Sequence, residues 1–127
     1  MKMCNIFPEL YVQDLQLNIR FFTEIFNFKL IRDEGDFAEL HYGNSILLLN
    51  SYAGDVEGHF FFGKIDQQSN GIGVELGIFV DDIYSIYEKI QQFSNIKSLT
   101  ELKKQDWGMT DFRIITIDNY YLRITTR

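Results

Sequence analysis

Two stretches of the chain carry the same sequence of patterns. The first begins Glu9-Leu10-Tyr11-Val12-Gln13-Asp14, continues with a helical spacing, and ends in alternating segments. The second begins Glu75-Leu76-Gly77-Ile78-Phe79-Val80-Asp81-Asp82 and repeats that order. Self-similarity at this scale predicts two copies of one supersecondary unit. In each copy an Asp closes a short strand and can accept the first free N–H groups of a helix, so Asp14 and Asp82 are the predicted N-caps. After Asp14, Leu15, Ile19, Phe22 and Phe26 fall on one helical face. After Asp82, Ile83, Tyr87 and Ile90 do the same, flanked by Ile86 and Phe93. Asn27 is placed to end the first helix, because Asn tolerates the left-handed conformation found there.

The rest reads as strands. Phe37–Tyr42 alternates, with Ala38, Leu40 and Tyr42 on one face and Phe37, Glu39 and His41 on the other. Gly43-Asn44 then turns the chain into Ser45–Leu49, and Phe112–Ile117 with Tyr121–Thr126 form the matching pair around Asp118-Asn119. Pro8 lacks a backbone donor, which predicts an edge or a bulge in the first strand. Residues 51–72 hold Gly54, Gly58, Gly63 and Gly71 and read as a connection, within which Phe60-Phe61-Phe62 looks like a short strand. The predicted fold class is therefore α+β, with two βαβββ modules in one domain. The first spans about residues 5–50, the linker about 51–72, and the second about 73–127. With a helix on one face of each sheet, two such modules side by side would form a cup-shaped sheet with an aromatic-lined interior.

Composition supports one folded domain and narrows its partners. The chain has 127 residues, 46% hydrophobic and 24% charged, so disorder is excluded for most of its length. Aromatics reach 16%, which serves a core and a ligand groove equally well. The net charge is -6 and no run of Lys or Arg occurs, which argues against a nucleic-acid partner and tolerates a cationic one. Cys4 is the only cysteine, so no intrachain disulfide can form. No leader-like apolar region follows Met1-Lys2-Met3-Cys4-Asn5, and no apolar run approaches the ~20 residues of a membrane span. The expectation is a cytoplasmic protein without a membrane partner.

The sequence resembles the vicinal oxygen chelate superfamily, which groups glyoxalase I, extradiol dioxygenases and fosfomycin- and bleomycin-resistance proteins. The resemblance covers about residues 6–126. It is carried by Pro8-Glu9-Leu10-Tyr11-Val12-Gln13-Asp14-Leu15 and Phe21-Phe22-Thr23-Glu24-Ile25-Phe26-Asn27-Phe28. At the C-terminus, Trp107-Gly108-Met109-Thr110-Asp111-Phe112 and Thr116-Ile117-Asp118-Asn119-Tyr120-Tyr121-Leu122-Arg123-Ile124 are similar to bleomycin-resistance proteins. Ile117 and Asn119 stand where that family's turn has Pro and Gly, and Asn can still supply the positive φ.

The resemblance implies four metal-ligand positions, one on the first and one on the last strand of each module. Here they hold Phe7, Leu48, Glu75 and Arg123. A catalytic divalent metal needs about three protein donors and an open position. Only Glu75 qualifies, so no metal and no other cofactor is expected. Glu75 and Arg123 should project from neighbouring strands. They read either as an ion pair closing a former metal site or as anchors for a charged ligand group.

Trp107 reads either as a loop aromatic anchoring the sheet or, following the resemblance, as a stacking wall of a groove. Phe7, Tyr11 and Phe79 share the predicted inward face with Glu75, and at most one or two rings of Phe60–Phe62, Phe61 among them, can join them. Asp55 and Glu57 read as a solvated loop, Glu9 with Glu75 as a weak acid–base candidate, and Cys4 as an inert thiol. No nucleophile elbow, phosphate-binding loop or zinc motif is present.

These readings point to a metal-independent small-molecule binding protein that sequesters an aromatic or cationic compound, and the resemblance implies a compound such as an antibiotic and a homodimer. The competing readings are a metal-dependent lyase, isomerase or dioxygenase, and a structural module whose cup is plugged by its own phenylalanines.

Overall fold

The computed structural model describes residues 4–52, 55–66 and 68–127. Met1–Met3 of the N-terminal stretch and Gly54 of the connection lie outside them. The chain divides into two compact units, Met1–Asp66 and Gln67–Arg127.

The first unit runs β1 (Glu9–Tyr11), α1 (Leu15–Arg20), β2 (Lys29–Asp33), β3 (Phe37–Tyr42) and β4 (Ser45–Asn50). The second runs β5 (Glu75–Phe79), α2 (Ile83–Gln91), β6 (Lys97–Ser98), β7 (Lys103–Lys104), β8 (Thr110–Ile115) and β9 (Tyr121–Thr125). The sheets have strand orders β1-β4-β3-β2 and β5-β9-β8-β6, with β7 also paired to β8. In both, the first strand lies parallel to the last and the rest is antiparallel. The repeat read in the sequence is thus a repeat of topology.

Both helices begin as the sequence predicts. The Asp14 carboxylate accepts from the Leu17 amide and the Asp82 carboxylate from the Ser85 amide, at 3.0 and 3.2 Å. The predicted face of the first helix is buried, and Phe21 and Ile25 are buried with it. The physical reason is a π-helical stretch over Phe21–Ile25, which adds a residue to the turn and brings more of the ring-bearing positions inward. Phe21, Phe22, Phe26 and Phe28 pack as a ring cluster with centroids 5.0–6.4 Å apart. Asn27 ends this segment at φ 60°. In the second unit Ile83, Ile86 and Ile90 are buried against a sheet face that holds Phe112, Ile114, Leu122 and Ile124 at 0% exposure. Tyr87 meets the Phe112 ring edge-on at 5.0 Å.

Several local expectations are corrected. Phe60–Phe62 is not a strand but a series of turns. The amides of His59, Phe62 and Lys64 each donate three residues back, to Val56, His59 and Phe61, and Gly58 and Gly63 bracket the run at positive φ. A segment bonded to itself in this way has no edge to offer a sheet. Residues 55–66 fall in the first compact unit. Pro8 precedes β1, an edge strand, and its carbonyl still accepts from the Leu48 amide at 3.0 Å. The strand expected at 112–117 is shifted to Thr110–Ile115, because Thr116 closes the following turn through bonds with Asn119 and Tyr120. The strand before it is broken into β6 and β7.

Candidate functional site

Alternation decides which side chains share a face. In the second unit the positions one residue away from the buried core row are Glu75, Gly77 and Phe79 on β5, Tyr121, Arg123 and Thr125 on β9, and Asp111, Arg113 and Ile115 on β8. This is the face opposite α2. Here Arg113 and Arg123 are register partners, and Glu75 bridges them. Its Oε1 lies 3.7 Å from Arg113 Nε and its Oε2 3.9 Å from Arg123 Nε. Both distances exceed a hydrogen bond, so the carboxylate neutralises the guanidinium groups without locking onto either. Gly77 is the register partner of Arg123, and a Cβ there would sit 4.0 Å from Arg123 Nη2, an ordinary contact.

The cluster continues to Asp111, whose Oδ1 is 3.7 Å from Arg113 Nη1 and accepts from Gln105 Nε2 at 2.7 Å. Among the described residues, two side-chain polar atoms are buried without a hydrogen-bond partner, Asp111 Oδ2 and Arg123 Nε. Both belong to this cluster. An orphaned buried polar atom costs about 1–3 kcal/mol, so a folded chain concentrates such atoms where something else uses them.

A cleft of about 320 Å³ opens beside it, lined by Gly71, Ile72, Gly73, Val74, Glu75, Ile115, Asn119 and Tyr121. Its wall, residues 71–74, is held in place by the β8–β9 turn. Asn119 stands at φ 70° there, and its Nδ2 donates to the carbonyls of Gln68 and Asn70 at 2.8 and 3.3 Å. Gly71 must be glycine. Its φ is +77°, and a Cβ would meet Asn119 O and a Tyr120 ring carbon at 3.0 Å.

The residues singled out from sequence divide between the units. Glu75, Arg123 and Phe79 share the face just described, and Phe79 lies under the Arg127 guanidinium, 4.8 Å from its centroid. The expected Glu75–Arg123 pair is present, widened to a triad by Arg113. Trp107 sits at the tip of the β7–β8 hairpin, 58% exposed, in a turn closed by Gly108 N–H to Gln105 O. The same hairpin reaches the cluster through Gln105. In the first unit Tyr11 and Phe61 meet edge-on with centroids 4.7 Å apart, and His59 packs on both. Phe7 lies before β1 and is half exposed.

The Tyr11 hydroxyl is pushed above the ordinary tyrosine pKa, first by burial and then by the Glu9 carboxylate that accepts its hydrogen bond. Glu9 also accepts from Asn50 Nδ2 at 3.0 Å. Beyond it, His41 Nε2 pairs with Glu39 Oε2 at 2.7 Å.

The four positions that the resemblance implies for a metal do not fit one here. Phe7 and Leu48 offer no donor atom, and Arg123 presents a cation to the one carboxylate, Glu75. Among the described residues no three His, Cys, Asp or Glu side chains gather as a ligand set. Nor is any helix long and apolar enough to cross a membrane.

Sequence reasoning missed Arg113, Asp111 and Gln105 as site residues. The signal for Arg113 was available. A hairpin turning at Asp118 sets positions 113 and 123 opposite each other. His59 was also passed over. Its Nδ1 accepts from the Phe61 amide at 3.0 Å, a contact that only the turn creates.

A family model described as a glyoxalase-like domain matches residues 5–127. No curated protein matches the chain. Solved structures match throughout its length. A protein of unknown function from Agrobacterium tumefaciens is 17% identical with a TM-score of 0.77, the match covering 100% of this chain and 96% of that one. A glyoxalase/bleomycin resistance protein/dioxygenase family enzyme from Burkholderia phytofirmans is 16% identical with a TM-score of 0.74, covering 94% and 95%. A bleomycin-binding protein from Streptomyces verticillus, solved with copper(II)-bleomycin, is 17% identical with a TM-score of 0.62, covering 100% and 98%. At these identities the likeness concerns the fold.

Proposed function

The chain belongs to the glyoxalase-like domain family, and from that premise we propose that it is a metal-independent small-molecule binding protein whose ligand sits on the helix-free face of the second sheet. One observation carries this reading. The two orphaned buried polar atoms, Asp111 Oδ2 and Arg123 Nε, fall in one cluster, and Glu75 of that cluster also lines the adjoining 320 Å³ cleft. Ligand sites combine an apolar wall with a few convergent polar groups. Here Ile72, Val74, Ile115 and Tyr121 supply the wall, and Glu75, Arg113 and Arg123 the polar groups.

Phe79 and the exposed Trp107 are the further aromatic surfaces proposed for stacking in the second unit, and Phe7, Tyr11 and Phe61 are proposed, within the first unit by itself, as aromatic surfaces open to a ligand. The donor set supports metal independence, since lyase, isomerase or dioxygenase chemistry through a divalent ion would need ligands that these positions lack. The bleomycin-binding relative gives the ligand reading its precedent, and sequestration of an antibiotic is its extension. The protein is further proposed to act as a cytoplasmic homodimer, the commonest closed assembly.

The test has two arms. Metal content of the untagged protein, with melting before and after addition of Mn2+, Zn2+, Ni2+ and Fe2+, should give neither stoichiometric metal nor a shift, because a ligand of the native state must raise stability. A screen of aromatic small molecules by amide NMR should give hits whose perturbations centre on Glu75, Tyr121 and Arg123. Bound metal, or hits that map only outside the second unit, would overturn the proposal.

A further inference from the structure

We infer that the helix-free face of the second sheet takes the anionic group of its ligand, a carboxylate, phosphate or phosphonate, between Arg113 and Arg123, and that Glu75 is the displaceable occupant of that place. The inference rests on the small-molecule reading above and adds the ligand's charge.

The sheet places like charges together. Arg113 and Arg123 are directly opposite in register, an arrangement that destabilises a sheet unless an anion lies between them. Glu75 lies there with one oxygen toward each Nε, the geometry of a bridging oxyanion. Its contacts of 3.7 and 3.9 Å are too long for hydrogen bonds, and Arg123 Nε is left unpaired though buried. Glu75 is also the outermost of the three, with its side chain 41% exposed against 20% for Arg113 and 37% for Arg123. A carboxylate that bridges loosely and faces solvent can swing out. A ligand oxyanion entering from the cleft would then meet two forked guanidinium groups with donors to spare.

The charge around the site agrees. Register partners in an antiparallel pair share a face, which puts Lys97, opposite Ile115, and Lys103, opposite Asp111, on this one. Four cations thus stand against the two carboxylates Glu75 and Asp111. The chain's -6 is carried elsewhere. The first unit has five Lys and Arg against ten Asp and Glu, and the second has seven against eight. The cationic ligand suggested by net charge alone therefore has the wrong sign for this face, because net charge averages over both units.

Phenylphosphonate, an aromatic ring on an oxyanion, is the probe. It is titrated into the full chain at low ionic strength while the arginine Nε–H signals are followed by NMR, with benzyltrimethylammonium as the cationic counterpart. Phenylphosphonate should saturably shift the Nε–H signals of Arg113 and Arg123. Its affinity should fall with added salt and rise roughly fivefold in Glu75→Gln, which keeps the side chain's shape and removes the competing charge. If benzyltrimethylammonium binds at this face instead, and Glu75→Gln weakens it, the anion inference is overturned while the ligand-site reading stands. If neither probe moves these signals in the wild type or in Glu75→Gln, the anion inference is overturned, and the aromatic screen alone decides the ligand-site reading.

Discussion

Arg113 and Arg123 face each other across the β8–β9 hairpin, with the Glu75 carboxylate 3.7 and 3.9 Å from their Nε atoms. The pairing is a product of register, and its stability depends on Glu75. Replacing Glu75 by Gln should lower stability by about 0.5 kcal/mol at low salt, the scale of a part-exposed ion pair. The loss should shrink as salt is added, because screening weakens the arginine repulsion as well as the attraction. Denaturant titrations of both proteins at two ionic strengths check this. A loss that does not respond to salt would place Glu75's contribution in packing.

Tyr11 offers a pH readout in the first unit. Its pKa is raised, chiefly by burial and then by Glu9. A phenol that ionises later in the folded chain stabilises the fold below the unfolded tyrosine pKa, and that stability is lost as pH rises through the folded one. Glu9→Gln removes the charge but not the burial. Ultraviolet titration should therefore show Tyr11 ionising earlier in the variant, though still above the ordinary tyrosine value. No change would mean that burial alone sets the shift.

The phenylalanines should separate sharply. Phe22 is 1% exposed within the ring cluster and Phe60 is 76% exposed. Phe22→Ala should cost about 3–5 kcal/mol through lost burial and a residual cavity. Phe60→Ala should stay within about 0.5 kcal/mol, since it gives up only surface contacts with Lys64 and the edge of the Phe61 ring. Chemical denaturation of the two variants measures both.

Gly71 and Gly73 have similar φ values but different surroundings. Gly71→Ala combines a left-handed backbone with contacts at 3.0 Å, whereas nothing lies within 4 Å of a Cβ at Gly73. Gly73→Ala should cost about 1 kcal/mol of backbone strain alone. Gly71→Ala should cost more and should also displace the Asn119 turn that holds the cleft wall, visible as amide shifts at Asn119 and Tyr120. Equal losses would show that the close approach relaxes freely.

The caps give a symmetric check on the repeat. Asp14→Ala and Asp82→Ala should each cost about 1 kcal/mol, as each removes an acceptor for an otherwise unpaired helical N–H. A silent substitution at either one would mean that water satisfies that helix end equally well.

The sequence by itself determined the repeat, both helix starts, the face Leu15–Ile19–Phe22–Phe26 and the shared face of Ala38 and Leu40. Those features depend on side-chain period and on local bonds between near neighbours, which a chain carries before it folds. The resemblance, through the metal positions it implies, placed Glu75 beside Arg123, and the parallel β5–β9 pair brings them together. Only the tertiary structure decided the rest. The run Phe60–Phe62 has a strand's composition, but two flanking positive-φ glycines and its own short-range bonds turn it. Phe21 and Ile25 join the core in the stretch where the helix widens, which the spacing of the apolar residues does not announce. Arg113 entered the site through cross-strand register, and Gln105 through a hairpin that folds back on Asp111. Pairings of that kind are set by where distant backbone segments meet, and composition and periodicity do not record the meeting.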